Sequence, residues 1–257
     1  MKRTKIVCTV GPSTDKPGVL EAMLRAGMNV ARFNFSHGTH EDHGRRMKQV
    51  REAAAAVKVP VAIMLDTKGP EIRLGTFVDK KVTLQTGERF TLTARDVLGT
   101  VDIVTVNYKE LPQEVAAGQT ILLADGLVSL LIEKVDGPDI VTTVQNTGEI
   151  SNFKRVAVPD VQLGLPFLSE QDVKDLLYGI EQGVDFIAAS FVQKTADVLA
   201  IRRVLETQGA DCHIIAKIEN AAGVKNIDDI LTVADGVMVA RGDLGVAIPT
   251  EDVPIVQ

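Results

Sequence analysis

The chain has 257 residues, of which 45% are hydrophobic and 24% are charged, so it can bury full cores in one or two domains. Its formal net charge of −6 provides no overall positive field to attract phosphates. We therefore expect neither a nucleic-acid binder nor a protein that binds anionic membranes.

The two cysteines and the N-terminus indicate the cellular compartment. Cys8 and Cys212 lie in the apolar runs KIVCTV and DCHIIAKI, which predicts buried free thiols rather than a disulfide. The basic start MKRTK is not followed by a sustained apolar segment, and no run approaches the roughly 18 apolar residues of a membrane span. These features predict a cytoplasmic protein without a membrane anchor.

Residues 1–69 alternate short β-branched runs with helical patterns, in the order KIVCTV, GVLEAMLRAG, NVARFNF, HEDHGRRMKQVREAAAAV and PVAIMLD. Strands that alternate with helices of this length predict βαβ units and a parallel sheet. The runs VCTV and VAIML are almost wholly apolar, as expected for strands covered on both faces.

The pattern changes over residues 70–158, which are rich in Thr and Val and contain Gly, Asp and Asn turns, as in KKVTLQTGERFTLTA. This text predicts a small all-β barrel domain inserted into the α/β domain. The β/α alternation returns over residues 159–257 with SEQDVKDLLYGIEQG, VDFIAASF, TADVLAIRRVLETQG, CHIIAKIE and DGVMVARGD. Ser169, with Asp172 three residues later, predicts the start of the first of these helices.

These segments predict about six parallel strands in an α/β domain made of residues 1–69 and 159–257. We expect an incomplete β/α barrel of the TIM type, and a doubly wound sheet remains the alternative. The last segment, EDVPIVQ, starts a helix that has no stop signal. We therefore expect the sequence to be truncated.

Polar residues follow one apolar strand after another. The second strand closes with Arg32, Asn34 and Ser36, the third with Asp66, Thr67 and Lys68, the fifth with Lys217 and Glu219, and the sixth with Arg241, Gly242 and Asp243. Barrel enzymes carry their catalytic residues at the carboxyl ends of the strands. These side chains are therefore expected to line one pocket.

The residue types at these ends suit phosphate and metal binding. Lys217 and Glu219 share one strand face, which combines a phosphate contact with a ligand for a hard metal ion, and Asp243 adds a second carboxylate. Gly242 lets backbone amides approach an anion closely. A solvated Lys and Glu pair at a strand end is the structural alternative.

Two further segments were considered as ligand sites. In LDTKGPEIR, Asp66 and Thr67 could bind a cation and Arg73 could clamp a phosphate, although TKGP could be only a turn. The histidines of HGTHEDH do not suit zinc, because residues spaced by three diverge around a helix. We expect them to be solvated residues of a first helical turn, except that His37 is expected to lie beside the pocket.

Six segments of the chain form a recognisable series: VCTVGPST, MNVARFNFSHG, LDTKGPEIR, DFIAASFV, IIAKIEN and VMVARGDLGV. In order and spacing they resemble the signature segments of the pyruvate kinase family. The resemblance is to bacterial-type members and covers essentially the whole chain. It implies a β/α barrel with a mobile β-domain inserted after the third strand. It also implies phosphoryl transfer from phosphoenolpyruvate to ADP, giving pyruvate and ATP in the last step of glycolysis, and a homotetramer for the full-length protein.

The resemblance also implies roles for individual residues. Arg32 and Lys217 are the implied catalytic residues, and they bind the substrate together with Gly242 and Asp243. The implied ligands of Mg²⁺ or Mn²⁺ are Glu219 and Asp243, and those of K⁺ are Asn34, Ser36, Asp66 and Thr67. Glu71 matches the potassium-requiring branch. The implied nucleotide contacts are Asn34, Phe35, Ser36, His37, Arg73 and Lys154.

The chain departs from the family pattern at residues 154–160, KRVAVPD, where the family commonly reads K-G-V-N-L-P-G, and at Ala124, where an aspartate pair is common. The family also continues for about as many residues again. Two other functions stay open: a catalytically inactive fragment or paralogue that binds metal and phosphates, and a magnesium-dependent aldolase of the phosphoenolpyruvate and pyruvate type. An open barrel has two unpaired edges, so the isolated chain is expected to self-associate.

Overall fold

The computed structural model describes residues 3–159, 161 and 163–257. The strands are β1 (Ile6–Thr9), β2 (Met28–Asn34), β3 (Ala62–Asp66), β4 (Ile72–Arg73), β5 (Lys81–Leu84), β6 (Arg89–Thr93), β7 (Ile103–Thr105), β8 (Thr120–Leu123), β9 (Val128–Asp136), β10 (Asp139–Val144), β11 (Gly148–Ser151), β12 (Arg155–Ala157), β13 (Phe186–Ala189), β14 (His213–Ile218) and β15 (Gly236–Val239). The α-helices are α1 (Val19–Ala26), α2 (His40–Val57), α3 (Leu111–Glu114), α4 (Glu170–Glu181), α5 (Thr195–Thr207), α6 (Ala221–Lys225), α7 (Ile227–Leu231), α8 (Arg241–Ala247) and α9 (Val253–Val256). Short 3-10 turns occupy Pro12–Thr14 and Thr250–Asp252.

The chain divides into two units. The first contains residues 3–70, Phe167–Leu244 and Val256–Gln257, and the second contains Glu71–Pro166 and Gly245–Ile255. The second unit thus extends past the expected limit at residue 158. None of the helices in the described ranges has the length and apolar character needed to cross a membrane.

The first unit is built on a six-stranded parallel sheet in the order β1-β2-β3-β13-β14-β15. Every neighbouring pair is parallel, which confirms the predicted α/β class. The strands lie side by side in chain order, without the reversal that defines a doubly wound sheet. The doubly wound alternative therefore does not describe this sheet.

Helices α1, α2, α4 and α5 begin where the sequence predicted them, whereas α8 begins at Arg241, where the end of a strand was expected. The helices cover the sheet with apolar side chains. At the start of α4, the Asp172 amide donates to Ser169 Oγ at 3.0 Å and the Ser169 amide donates to Asp172 Oδ2 at 2.9 Å. Phe33, Leu65 and Leu176 have no exposed surface. Burial of each such side chain stabilises the unit by about 1.5 to 3 kcal/mol.

Three side chains hold the amino ends of the strands together in pairs. Asn29 Oδ1 accepts from the Ile6 amide at 2.9 Å, which joins β2 to β1. Asp185 Oδ2 accepts from the Ile63 amide at 2.7 Å, which joins the start of β13 to β3. Asp235 Oδ2 accepts from the Ile214 amide at 2.7 Å, which joins the start of β15 to β14. Each bond pairs the first amides of one strand with the next strand in the sheet.

The expectation that VCTV is covered on both faces is wrong for β1. This strand is at the edge of the sheet, and Ile6 and Val7 are 42% and 46% exposed. An edge strand lacks a neighbour on one side, so its side chains lose part of their cover. Cys8 is accordingly only half-buried, whereas Cys212 is buried as predicted, and both thiols are free.

The second unit consists mainly of β-strands. One sheet has the order β4-β12-β8-β9-β10-β6-β7, and β5 pairs separately with β11. The pairings are antiparallel except that between β6 and β7, which is parallel. Phe90, Leu92 and Ile121 lie in its core with no exposed surface, and Leu163 packs against this core from the segment beyond residue 158.

Candidate active site

The centre of the candidate site is the carboxylate of Asp66, the last residue of β3, which is 1% exposed. On the neighbouring strand β2, Arg32 Nε donates to Asp66 Oδ2 at 2.5 Å. Arg32 Nη1 also donates to the hydroxyl of Thr9, the last residue of β1, at 2.7 Å. The ends of three adjacent strands are thus joined through one guanidinium group.

Lys217 approaches the same carboxylate from β14. Its Nζ is 3.0 Å from Asp66 Oδ1, 2.9 Å from Glu219 Oε1 and 2.7 Å from Ser190 Oγ. Burial by itself lowers the pKa of this lysine, but the negative charges of Glu219 and Asp66 outweigh burial and raise it. Lys217 is therefore a buried ammonium group whose charged form is favoured by two carboxylates.

Glu219 has an oxygen that suits a metal ion. Its side chain is 1% exposed, and its Oε2 accepts from the Phe191 amide at 2.7 Å. Oε1 faces Lys217 as an ion pair but has no well-directed hydrogen bond from any described group. Burial raises the pKa of Glu219, Lys217 opposes that rise, and the negative charge of Asp243 adds to it.

Residues Glu219 and Asp243 therefore supply two carboxylates that repel each other, which is the electrostatic setting that a divalent cation relieves. Within the described ranges, no group of three or more His, Cys, Asp and Glu side chains is arranged to hold a metal ion. Mg²⁺ commonly takes one or two protein carboxylates and completes its shell with water and substrate oxygens. The donor set fits that mode of binding.

The remaining predicted residues of the first unit lie at strand ends and in adjacent turns. Asn34 ends β2, and its Oδ1 accepts from the Ser36 amide at 3.0 Å. Thr67 is 2% exposed. Gly242 and Asp243 lie in the first turn of α8, where Gly242 is exposed and Asp243 is half-buried.

The turn after β2 is held by a histidine that the sequence analysis placed in solvent. His43 is 5% exposed, and its ring stacks on Phe35 with a centroid distance of 4.2 Å. Its Nε2 lies 2.7 Å from the carbonyl oxygen of His37, so Nε2 is the donor. Burial lowers the pKa of His43. The expectation of a solvated residue is wrong here because α2 turns this position toward the core, whereas His37 is exposed.

Glu71, Arg73 and Lys154 belong to the second unit. Arg73 Nη2 lies 2.6 Å from Glu71 Oε2, and Arg73 Nη1 donates to the Phe153 carbonyl at 2.8 Å. The Lys154 side chain is exposed. The roles expected for these three residues remain predictions.

Thr9 and Ser190 contact Arg32 and Lys217 directly, although neither residue was predicted from the sequence. Both follow an apolar run at the carboxyl end of a strand, β1 for Thr9 and β13 for Ser190. The rule that selected the ends of the second, third, fifth and sixth strands would have selected these residues also.

The fold and the site define a class of α/β protein that holds a buried lysine, a half-buried arginine and two buried carboxylates at one edge of a parallel sheet. A family model described as the pyruvate kinase barrel domain matches residues 1–257. The chain belongs to the pyruvate kinase family, which confirms the resemblance seen in the sequence.

Individual relatives agree with this assignment. The chain is 52% identical over 260 residues to a pyruvate kinase of Bacillus licheniformis and 52% identical over 259 residues to one of Geobacillus stearothermophilus. A pyruvate kinase of Clostridium acetobutylicum is 46% identical over 259 residues. All three alignments cover 100% of the chain, which spans 44%, 44% and 55% of these relatives respectively.

Proposed function

We propose that the full-length protein containing this chain transfers a phosphoryl group from phosphoenolpyruvate to ADP and forms pyruvate and ATP. The observation that carries this proposal is the convergence of Arg32 and Lys217 on Asp66 in a buried site, with Glu219 beside them. Membership of the pyruvate kinase family supports the choice of substrates.

The chemistry of phosphoryl transfer matches what these residues can supply. The transferring group passes through a loose transition state that needs little covalent help, so alignment and positive charge determine the rate. Arg32 and Lys217 bind the phosphoryl oxygens, and Lys217 stabilises the negative charge in transit. Asp66 holds the two cations at a fixed spacing before the substrate arrives, which avoids reorganisation during the reaction.

Glu219 and Asp243 would hold Mg²⁺ or Mn²⁺, which neutralises negative charge on the substrate oxygens when bound. The amides of Gly242 and Asp243 receive the substrate carboxylate. The oxygens of Asn34, Ser36, Asp66 and Thr67 would hold K⁺, and Glu71 specifies the potassium requirement. Nucleotide contacts come from Asn34, Phe35, Ser36, His37, Arg73 and Lys154.

The proposed architecture is an incomplete TIM-type barrel, residues 1–69 and 159–257, with the β-rich insertion at 70–158 acting as a lid. Closure of such a lid would exclude the water that competes for the phosphoryl group. The full-length protein is proposed to be a cytoplasmic homotetramer.

Replacement of Lys217 tests this function in the full-length gene product. Lys217→Ala should lower kcat for pyruvate formation by about 1000-fold and change the KM for phosphoenolpyruvate little, because Lys217 acts mainly in the transition state. Lys134→Ala is the matched control, since Lys134 is an exposed lysine that also pairs with a carboxylate at 3.0 Å. A coupled assay with phosphoenolpyruvate and ADP measures both.

Three results would overturn the proposal in different ways. Unchanged turnover in Lys217→Ala would remove the role given to this lysine. A parent protein that binds phosphoenolpyruvate and metal but forms no pyruvate would instead be a catalytically inactive paralogue. Carbon–carbon bond cleavage or formation in place of phosphoryl transfer would indicate the aldolase.

A further inference from the structure

Ser190 is an uncharged residue of the site that lies between Lys217 and the Asp66–Thr67 segment. It follows β13 and is 2% exposed. Its amide donates to Thr67 Oγ1 at 3.0 Å, and its Oγ lies 2.7 Å from Lys217 Nζ, 2.7 Å from the Thr67 carbonyl oxygen and 3.1 Å from Asp66 Oδ1. One hydroxyl group therefore contacts residues from β3 and β14.

The direction of these hydrogen bonds follows from the groups involved. An ammonium group has three N–H donors and no acceptor, so Ser190 Oγ must accept from Lys217. The single hydroxyl proton is then free to go to the Thr67 carbonyl oxygen, which is the nearer of its two acceptors. Ser190 thus links the ammonium group of Lys217 to the backbone of Thr67, directly after β3.

The other two partners of Lys217 are carboxylates that have other roles in the proposed function. Glu219 is a proposed ligand of the divalent ion, and Asp66 also binds Arg32. Ser190 has no charge to be attracted by a metal ion or a phosphate. It is the partner of Lys217 whose own position is fixed by two bonds to Thr67.

We propose that Ser190 is the positioning residue of Lys217 and couples it to the Asp66–Thr67 segment. This inference rests on the proposed phosphoryl transfer. Ser190 holds Lys217 Nζ in place while the carboxylates exchange partners during the reaction. Because Asp66 and Thr67 are proposed K⁺ ligands, loss of the hydroxyl also weakens the response of Lys217 to K⁺.

Close packing around Ser190 decides which variants test the proposal. A Cβ atom added at Gly69 would lie 3.0 Å from both the Cβ and the carbonyl oxygen of Ser190, so the surrounding backbone leaves little spare space. Ser190→Ala only removes an atom. Ser190→Cys keeps an atom at the γ position but replaces the hydroxyl with a weak donor and acceptor.

The full-length gene product carrying Ser190→Ala should lose kcat by about 10- to 100-fold, the effect of misplacing a catalytic group by about 1 Å. The KM for phosphoenolpyruvate should change by less than about threefold, and the K⁺ concentration for half-maximal activation should rise. Thr142→Val is the matched control, because it removes a buried hydroxyl that donates to the Phe90 carbonyl at 2.7 Å in the second unit. The control should lower the melting temperature similarly and leave kcat unchanged.

The possible outcomes separate the two proposals. An active parent whose Ser190→Ala variant keeps kcat within about twofold, with a melting temperature like that of Thr142→Val, overturns the role of Ser190 alone. If the alanine variant does not fold, Ser190→Cys decides in the same way, with the same expected loss of kcat. A parent that forms no pyruvate overturns the proposed function, and the role of Ser190 with it.

Discussion

Asp66→Asn should destabilise the first unit strongly, because it removes the buried carboxylate charge that the buried Lys217 and the half-buried Arg32 share. At the 3.0 Å separation of Lys217 Nζ and Asp66 Oδ1, two unit charges attract by about 5.5 kcal/mol at an effective dielectric constant of 20. Desolvation has already offset part of this attraction, and removal of one partner from a buried pair costs about 3 to 5 kcal/mol. We expect about 3 kcal/mol, because Glu219 still neutralises Lys217.

For a unit of this size, a loss of about 3 kcal/mol corresponds to a fall of about 6 to 12 °C in melting temperature. Thermal unfolding followed by circular dichroism measures the change. Asp136→Asn is the matched control: Asp136 also lies 3.0 Å from a lysine, Lys134, but both side chains are more than 60% exposed. Its melting temperature should fall by less than about 2 °C. Equal effects in the two variants would refute the argument, since burial would then not determine the cost.

Two further predictions concern stability away from the centre of the site. Hydrogen bonds and charge from Arg46 lower the pKa of Asp15 to about 2, so this pair stabilises the fold above pH 3.8 and its contribution disappears as the pH falls through 2. Asp15→Asn should cost about 1 kcal/mol at pH 7 and nothing below pH 2, as measured by urea unfolding across this range; a constant difference would contradict the assignment. Gly179→Ala would bring a Cβ atom within 2.5 Å of Leu65 Cδ1 in the core. Overpacking of about 1 to 3 kcal/mol should exceed the gain in helix propensity, and a more stable variant in urea unfolding would show that Leu65 can move.

The sequence predicted which residues lie together in one pocket better than it predicted their hydrogen-bond and ion-pair partners. Arg32, Asp66, Lys217 and Glu219 could be assigned to one pocket because each follows an apolar run, and parallel strands share their carboxyl edge. That Asp66 binds both cations could not be predicted, because strand periodicity fixes the face of a side chain but not its rotamer or partner. The segment LDTKGPEIR suggested that Asp66 could bind a cation, and only the choice of K⁺ came from the family resemblance.

Burial was predicted poorly wherever it depends on neighbours that are distant in the sequence. VCTV is apolar enough for a central strand, yet Ile6 and Val7 are at an edge, because the strand order and not composition decides how many neighbours a strand has. His43 lies in a polar segment, and only its stacking on Phe35 reveals that it is part of the core. The pairing of β6 with β7 in parallel is likewise a product of chain topology.

The pairwise bonds of Asn29, Asp185 and Asp235 have a consequence at the opposite end of the sheet. Shifting a strand by one residue reverses every side chain along it, so a slip of β13 against β3, or of β14 against β13, would turn Lys217 away from Asp66. Asp185 accepts from the Ile63 amide through its carboxylate and from the His213 amide through its carbonyl oxygen, so it aligns the strand that carries Lys217 with the strand that carries Asp66. The alignment of the charged groups is thus decided at the amino ends of the strands. There a carboxylate or amide oxygen accepts a hydrogen bond from a backbone N–H near the start of the neighbouring strand.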